Sequence, residues 1–306
     1  LYLPILLCME RLVFLLTYPF LWGVSKLPFR LLYLLSDGLF FLVYTVVRYR
    51  RKVVRENLAL VFPEKSLQER QRIARDFYAH MCDMFLEMIK TLNISEEDLQ
   101  EHFTFTNLDT FRQFEAQGKS TVTFFPHYAS WEWTIALDPH IKSKGYGVYQ
   151  TLNNKYFDRW VRRVRARLGT SLITTQESWK VMRRNKTEGV AATYGMLNDQ
   201  SPTLKKARYW APFMGITVPM HVGSEILCKK FDLPALYLKV RKIKRGYYQG
   251  TFIVLAAAPK TVPSYGITDA FFREVELAIH DAPEYYFWTH KRWKHRNQVP
   301  PGISKD

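Results

Sequence analysis

A chain of 306 residues, 47% hydrophobic and 24% charged, can build one large folded core, which excludes global disorder. Its 44 Lys+Arg against 28 Asp+Glu give a net charge of +16, which leaves nucleic acid, anionic lipid headgroups or an acidic protein as partners. Three scattered cysteines, Cys8, Cys82 and Cys228, show neither zinc spacing nor an even disulfide framework, which points to a reducing compartment.

The first residue is Leu1 rather than Met, so part of the natural N-terminus is expected to precede it. Residues 1–50 differ from the rest. Leu12–Val24 is nearly charge-free but contains Pro19 and Gly23, and a second apolar run, Leu31–Val47, is broken by Ser36-Asp37-Gly38. A spanning helix needs about 20 apolar residues. The region reads as a tilted or poorly spanning segment plus an interfacial helix, with Tyr18, Trp22 and Tyr33 at headgroup level. A buried helical hairpin of a soluble protein has the same pattern. Arg48, Arg50, Arg51, Lys52 and Arg55 follow directly, as on a cytoplasmic flank, and can hold an anionic membrane surface at about 1 kcal/mol per residue.

From residue 51 to residue 306 one further domain is expected. Val53–Leu60 reads as helix. Ser66-Leu-Gln-Glu69 is a capping-box pattern opening a helix to about Leu92, with Ile73, Phe77, Met81, Phe85, Met88 and Ile89 at helical spacing. From Ser120 onward β-type runs at 121–125, 146–150, 189–196, 234–240 and 248–255 alternate with helical stretches at 154–168, 176–185 and 221–231. A last helix lies near 268–281. That pattern is α/β.

The chemistry centres on His127-Tyr-Ala-Ser-Trp-Glu132, directly after the apolar run Thr121–Pro126. In one continuous helix a five-residue offset would turn the two side chains apart. With His127 in a turn and Glu132 on the next helical turn, the carboxylate can accept from one ring nitrogen and leave the other as base. On the pattern alone, a His near a Glu is more often a structural pair than a catalytic one. Arg159, Arg162, Arg163, Arg165 and Arg167 crowd one helical segment, which suits phosphate or a solvated face. No nucleic-acid motif accompanies them. The tail Trp288–Arg296 mixes aromatics and cations, as an interfacial helix does, although His290 and Arg292 also fit as packing or capping groups. Neither His221 nor His295 has a partner at metal-ligand spacing, so no metal is expected.

Several blocks occur together: Lys52–Pro63, His127-x4-Glu132, Asn198-Asp-Gln200, Trp210-Ala-Pro-Phe-Met-Gly215 and Pro283–Lys294. In this order, from about residue 9 to 296, the chain resembles the late acyltransferases of lipid A biosynthesis, within the lysophospholipid acyltransferase superfamily. The resemblance implies a glycerolipid acyltransferase-like fold, a mixed central sheet flanked by helices behind an N-terminal membrane-anchoring helical segment. It implies an O-acyltransferase at the cytoplasmic face of a bacterial inner membrane, with no cofactor. His127 would be general base on a lipid hydroxyl and Glu132 its orienting partner. The acyl donor would be an acyl carrier protein thioester or acyl-coenzyme A, and the acceptor a phosphorylated lipid A precursor. Asp199 and Gln200 would support the site, Phe213 and Gly215 would shape a loop beside an acyl groove, and Asn153, Asn154, Arg159 and Arg163 would contact substrate. Gln150 and Thr174 stand where the family leads one to expect cations, which leaves another acceptor, an aminolipid or lysophospholipid, as an alternative. A non-catalytic lipid-binding protein is the rival of a different class.

Overall fold

The computed structural model describes residues 2–301. Helix α1 (Tyr2–Lys26) runs through Pro19 and Gly23. It turns at Leu27-Pro28 into α2 (Phe29–Phe40), which continues as a π-helical segment, Phe41–Val46. Phe29–Val46 is therefore one helix long and apolar enough to cross a membrane. Leu31, Leu34, Leu35, Phe41, Leu42 and Val46 are exposed on it. Ser36-Asp37-Gly38 interrupt the apolar run but not the helix. Ser36 Oγ donates to Asp83 Oδ1 (2.7 Å), and Arg245 bonds both Asp37 (2.6 Å) and Asp83 (2.7 Å). These polar residues thus join the helix to the rest of the molecule instead of ending it.

Helices α3 (Arg51–Val61) and α4 (Leu67–Lys90) follow. The capping box forms as expected: Ser66 Oγ accepts from Glu69 N–H, and Ser66 N–H donates to Glu69 Oε2. Ile73, Phe77 and Met81 are buried on α4, whereas Phe85 and Met88 remain exposed.

The remaining elements are α5 (Glu96–His102), β1 (Phe103–Phe105), α6 (Leu108–Ala116), β2 (Thr121–Phe125), β3 (Lys144–Tyr149), α7 (Lys155–Arg167), β4 (Ser171–Thr174), α8 (Thr175–Thr187) and β5 (Ala192–Leu197). Then come β6 (Trp210–Phe213), β7 (Ile216–Pro219), α9 (Gly223–Phe231), β8 (Ala235–Lys244), β9 (Tyr247–Ala256) and α10 (Gly266–Asp281). Seven strands form one sheet in the order β1-β9-β8-β2-β5-β3-β4, with β6 and β7 a separate hairpin. Only the β8–β9 pair is antiparallel in the large sheet, so the sheet is mixed, as expected. Short β1, β4, β6 and β7 escaped the sequence reading because three or four residues carry too little alternation.

The tail is not an interfacial helix. Trp288, Arg292 and Trp293 are buried in turns. Trp293 stacks on Phe213 and donates from Nε1 to the Phe213 carbonyl (3.1 Å). Asn57 Nδ2 on α3 donates to the Trp288 and His290 carbonyls. Burial of these indoles in the core outweighs any use of them at a membrane surface.

Candidate active site

The site lies where parallel strands end, the usual crevice of an α/β sheet. β2 and β5 are neighbours, with Phe125 opposite Leu197. Each chain runs two residues further, which sets His127 beside Asp199. His127 Nδ1 lies 2.7 Å from Asp199 Oδ1, and Gln200 Nε2 lies 3.1 Å from His127 Nε2. An Nδ1–H tautomer that donates to Asp199 leaves Nε2 as the acceptor nitrogen. Burial pushes the Asp199 carboxyl up, but the charge and hydrogen bonds of His127 outweigh it and hold the group below the usual carboxylate range.

The loop after β2 is held from the other side. Ala129 takes a left-handed conformation (φ +49°), its N–H donates to the Tyr285 carbonyl, and Phe287 N–H donates to the His127 carbonyl. The rings of Trp131 and Phe287 pack against the imidazole at 5.2 and 6.1 Å between centroids.

Glu132 does not reach His127. The left-handed turn at Ala129 carries the chain into a 3-10 helix, Glu132–His140, and Glu132 pairs there with Arg165 of α7. The hydrogen bond expected between His127 and Glu132 is replaced by two separate pairs, His127–Asp199 and Glu132–Arg165.

Trp131, Glu132 and Arg165 belong to the wall of an apolar cavity of about 530 Å³. Phe125, Val148, Leu172 and Leu197 line it from the sheet, Trp160 and Val164 from α7, and Leu21 from α1. Gly147 and Gly195 face each other across β3 and β5 on this wall. A Cβ on Gly195 would come within 2.8 Å of Phe125 Cζ, so glycine is what admits that ring. Gly145, Thr170 and Thr193 mark the end nearer the strand starts, together with Asp138. Burial raises the Asp138 carboxyl to about 6, against a hydrogen bond from the Thr170 hydroxyl.

The other sequence candidates fall into three groups. Asn154 caps α7, its Oδ1 accepting from Tyr156 and Phe157 N–H while its Nδ2 donates to the Glu10 carbonyl of α1. Asn153, Arg159 and Arg163 are exposed, and neither arginine forms an ion pair among the described residues. Phe213 and Gly215 are not part of the cavity wall. Met214 (φ +53°) and Gly215 (φ +73°) make the tight turn of the β6–β7 hairpin, and Phe213 packs against Trp293 and Phe272. Thr174 is the cap of α8 in a capping box with Glu177. Beside Gln150, Arg162 lies over the Tyr149 ring at 5.0 Å, so α7 brings a cation to that position. Arg165 and Asp138 went unrecognised, one lost among five arginines and the other in an unmarked turn. No cluster of three or more potential metal-ligating side chains occurs among the described residues.

The family model described as bacterial lipid A biosynthesis acyltransferase matches residues 4–295. The Lipid A biosynthesis lauroyltransferase of Escherichia coli (strain K12) is 23% identical over 283 residues, covering 92% of this chain and 91% of its own. The Lipid A biosynthesis palmitoleoyltransferase of the same organism and the Lipid A biosynthesis acyltransferase of Shigella flexneri are each 22% identical, covering 90% of this chain and 89% of theirs. A match that takes in the β2 loop, the β5 loop, the cavity wall and the buried tail together means that this chain belongs to the bacterial lipid A biosynthesis acyltransferase family.

Proposed function

We propose that the protein moves a fatty acyl chain from an acyl carrier protein thioester to a hydroxyl of a phosphorylated lipid A precursor, at the cytoplasmic face of a bacterial inner membrane. The observation that carries this reading is a His127–Asp199 pair beside the wall of an apolar cavity of about 530 Å³. His127 Nε2 takes the proton of the acceptor hydroxyl as its oxygen attacks the thioester carbonyl. Asp199 orients the ring and stabilises the imidazolium. The tetrahedral intermediate expels the carrier thiolate, which recovers the proton from His127. Gln200 sits against Nε2 and must yield that position to the hydroxyl. The cavity takes the acyl chain, and Glu132 with Arg165 fixes the wall beside Trp131.

The net charge of +16 suits an acidic carrier protein and a phosphorylated acceptor alike. Exposed Arg159 and Arg163 suit either, and Asn153 lies close by in the chain. Residues 1–50 serve as membrane anchor and residues 51–306 as the acyltransferase domain. The test is acyl transfer by the purified full chain in detergent, with acyl carrier protein thioester or acyl-coenzyme A as donor and a phosphorylated, partly acylated glucosamine disaccharide as acceptor. Transfer by wild type, lost in His127→Ala and Asp199→Ala, is expected. Equal transfer by all three would sink the base assignment.

A further inference from the structure

Arg292 is buried to 1% exposure, and among the described residues none of its side-chain bonds is to a carboxylate. Nη1 donates to Ser201 Oγ (3.3 Å) and Nη2 to Met220 Sδ (3.0 Å), while the guanidinium lies over Phe213 and Phe272 at 5.1 and 5.3 Å. Its Nε has no partner among the described residues. Aromatic faces and a thioether return only a part of the cost of burying a cation.

The residue is fastened to the loop that carries Asp199. Ser201 Oγ donates to the Arg292 carbonyl (2.5 Å), and Ser201 N–H donates to His290 Nε2 (3.3 Å). Segment 290–292 thus clasps the loop Asn198–Ser201 from behind. Burial lowers the Arg292 guanidinium to about 10, against the pull of Tyr286 and Asp199, so it remains a cation at neutral pH. The other titratable groups around the pair are uncharged there. Burial holds His290 at about 4, lowers His221, and drives the Tyr286 phenol well up. Lys206 and Lys294 stand exposed outside the cluster, and Glu132 is paired with Arg165. The buried charges behind the imidazole are therefore one anion, Asp199, and one cation, Arg292.

We propose that Arg292 is the fixed counter-charge of Asp199, and that this pairing leaves His127 neutral and able to accept a proton at Nε2. Asp199 alone would draw a proton onto His127, and a protonated imidazole is no base. Arg292 is here a positioning residue acting through Asp199. Its consequence for turnover rests on the acyl-transfer reading, but the charge of the imidazole is measurable without turnover.

The experiment is an NMR titration of the full chain in detergent micelles with isotope-labelled histidine, the His127 signal being identified by its absence in His127→Gln. In Arg292→Gln the His127 signal should titrate about one pH unit or more higher than in wild type. Arg292→Lys should restore most of the difference, and the acid limb of acyl transfer should move in parallel. In Asp199→Asn the remaining cation should move the His127 midpoint down, a second readout that serves even where Arg292→Gln fails to fold. A folded Arg292→Gln with the wild-type midpoint, or an Asp199→Asn midpoint that stays or rises, overturns the proposal. If the signals move as expected but wild type transfers no acyl chain, the charge pairing stands and the acyl-transfer reading falls.

Discussion

The 2.7 Å bond between His127 Nδ1 and Asp199 Oδ1 follows from strand register. Phe125 on β2 is paired with Leu197 on β5, and the same 72-residue offset separates the two site residues. A one-residue slip between these strands would turn one side chain to the opposite face of the sheet. The site is therefore built by the backbone before any side chain chooses a rotamer.

Asp199→Asn keeps the shape of this pair but removes the anion that, in the proposed mechanism, stabilises the imidazolium. Its kcat for acyl transfer should fall by about 10²–10⁴-fold, with KM little changed. Initial rates over a range of acceptor concentrations measure both. A kcat within a few-fold of wild type would mean that Asp199 is a structural partner only.

Glu132 and Arg165 are 18% and 21% exposed at the side chain, on a largely apolar wall. Removing one partner leaves the other charge uncompensated, at a cost of about 3–5 kcal/mol. Arg165→Met and Glu132→Gln should each lower the unfolding temperature in detergent, Arg165→Met more. The double variant should recover most of the loss. Strictly additive losses would show that the pair carries no coupling energy.

The parts legible in the sequence were those with a local cause. The capping box at Ser66 and Glu69, the helical stripe of α4 and the strand leading to His127 are each written in neighbouring residues. The partner of His127 is not, because it depends on which strand pairs with β2 and in what register. Glu132 was the nearest carboxylate in sequence, whereas Asp199 is nearest in space. The tail misled for a related reason. Trp288, Arg292 and Trp293 have the composition of an interfacial helix, and only tertiary packing onto Phe213 reveals them as core. Gly147 and Gly195 carried no signal in the sequence, because a strand glycine shows its purpose only once the cavity beside it is known.

The cavity should set acyl-chain length. Thr193 and Leu197 both line it and lie about 13 Å apart along β5, at roughly 3.3 Å per residue. A Cβ on Gly147 would meet Leu172 Cδ2 at 3.0 Å, so Gly147→Val must fill space from the wall inward. Each methylene that no longer fits loses about 0.8 kcal/mol, or about fourfold in relative rate. In competition among decanoyl, dodecanoyl, tetradecanoyl and hexadecanoyl thioesters, the variant should shift toward shorter chains. A uniform loss across all four would place the bound chain elsewhere.

Glu87 gives the fold a pH dependence of its own. Its carboxyl is buried under the central sheet, with Oε1 accepting from Tyr33 and Oε2 from Tyr248. Burial raises it from 4.5 to about 7, with Lys242 and the two hydroxyls opposing. Below 4.5 the carboxyl is protonated in both the folded and the unfolded chain, and the stabilising contribution is fully present. As pH rises from 4.5 to about 7 the unfolded chain releases the proton while the folded chain retains it, so stability falls, by about 3 kcal/mol in all. Above about 7 both forms are ionised and the loss is complete. Glu87→Gln cannot release a proton, so its stability should decline less than that of wild type across this window. Thermal unfolding in detergent, followed by tryptophan fluorescence at a series of pH values, measures the two slopes. Parallel slopes would assign the pH dependence to other groups.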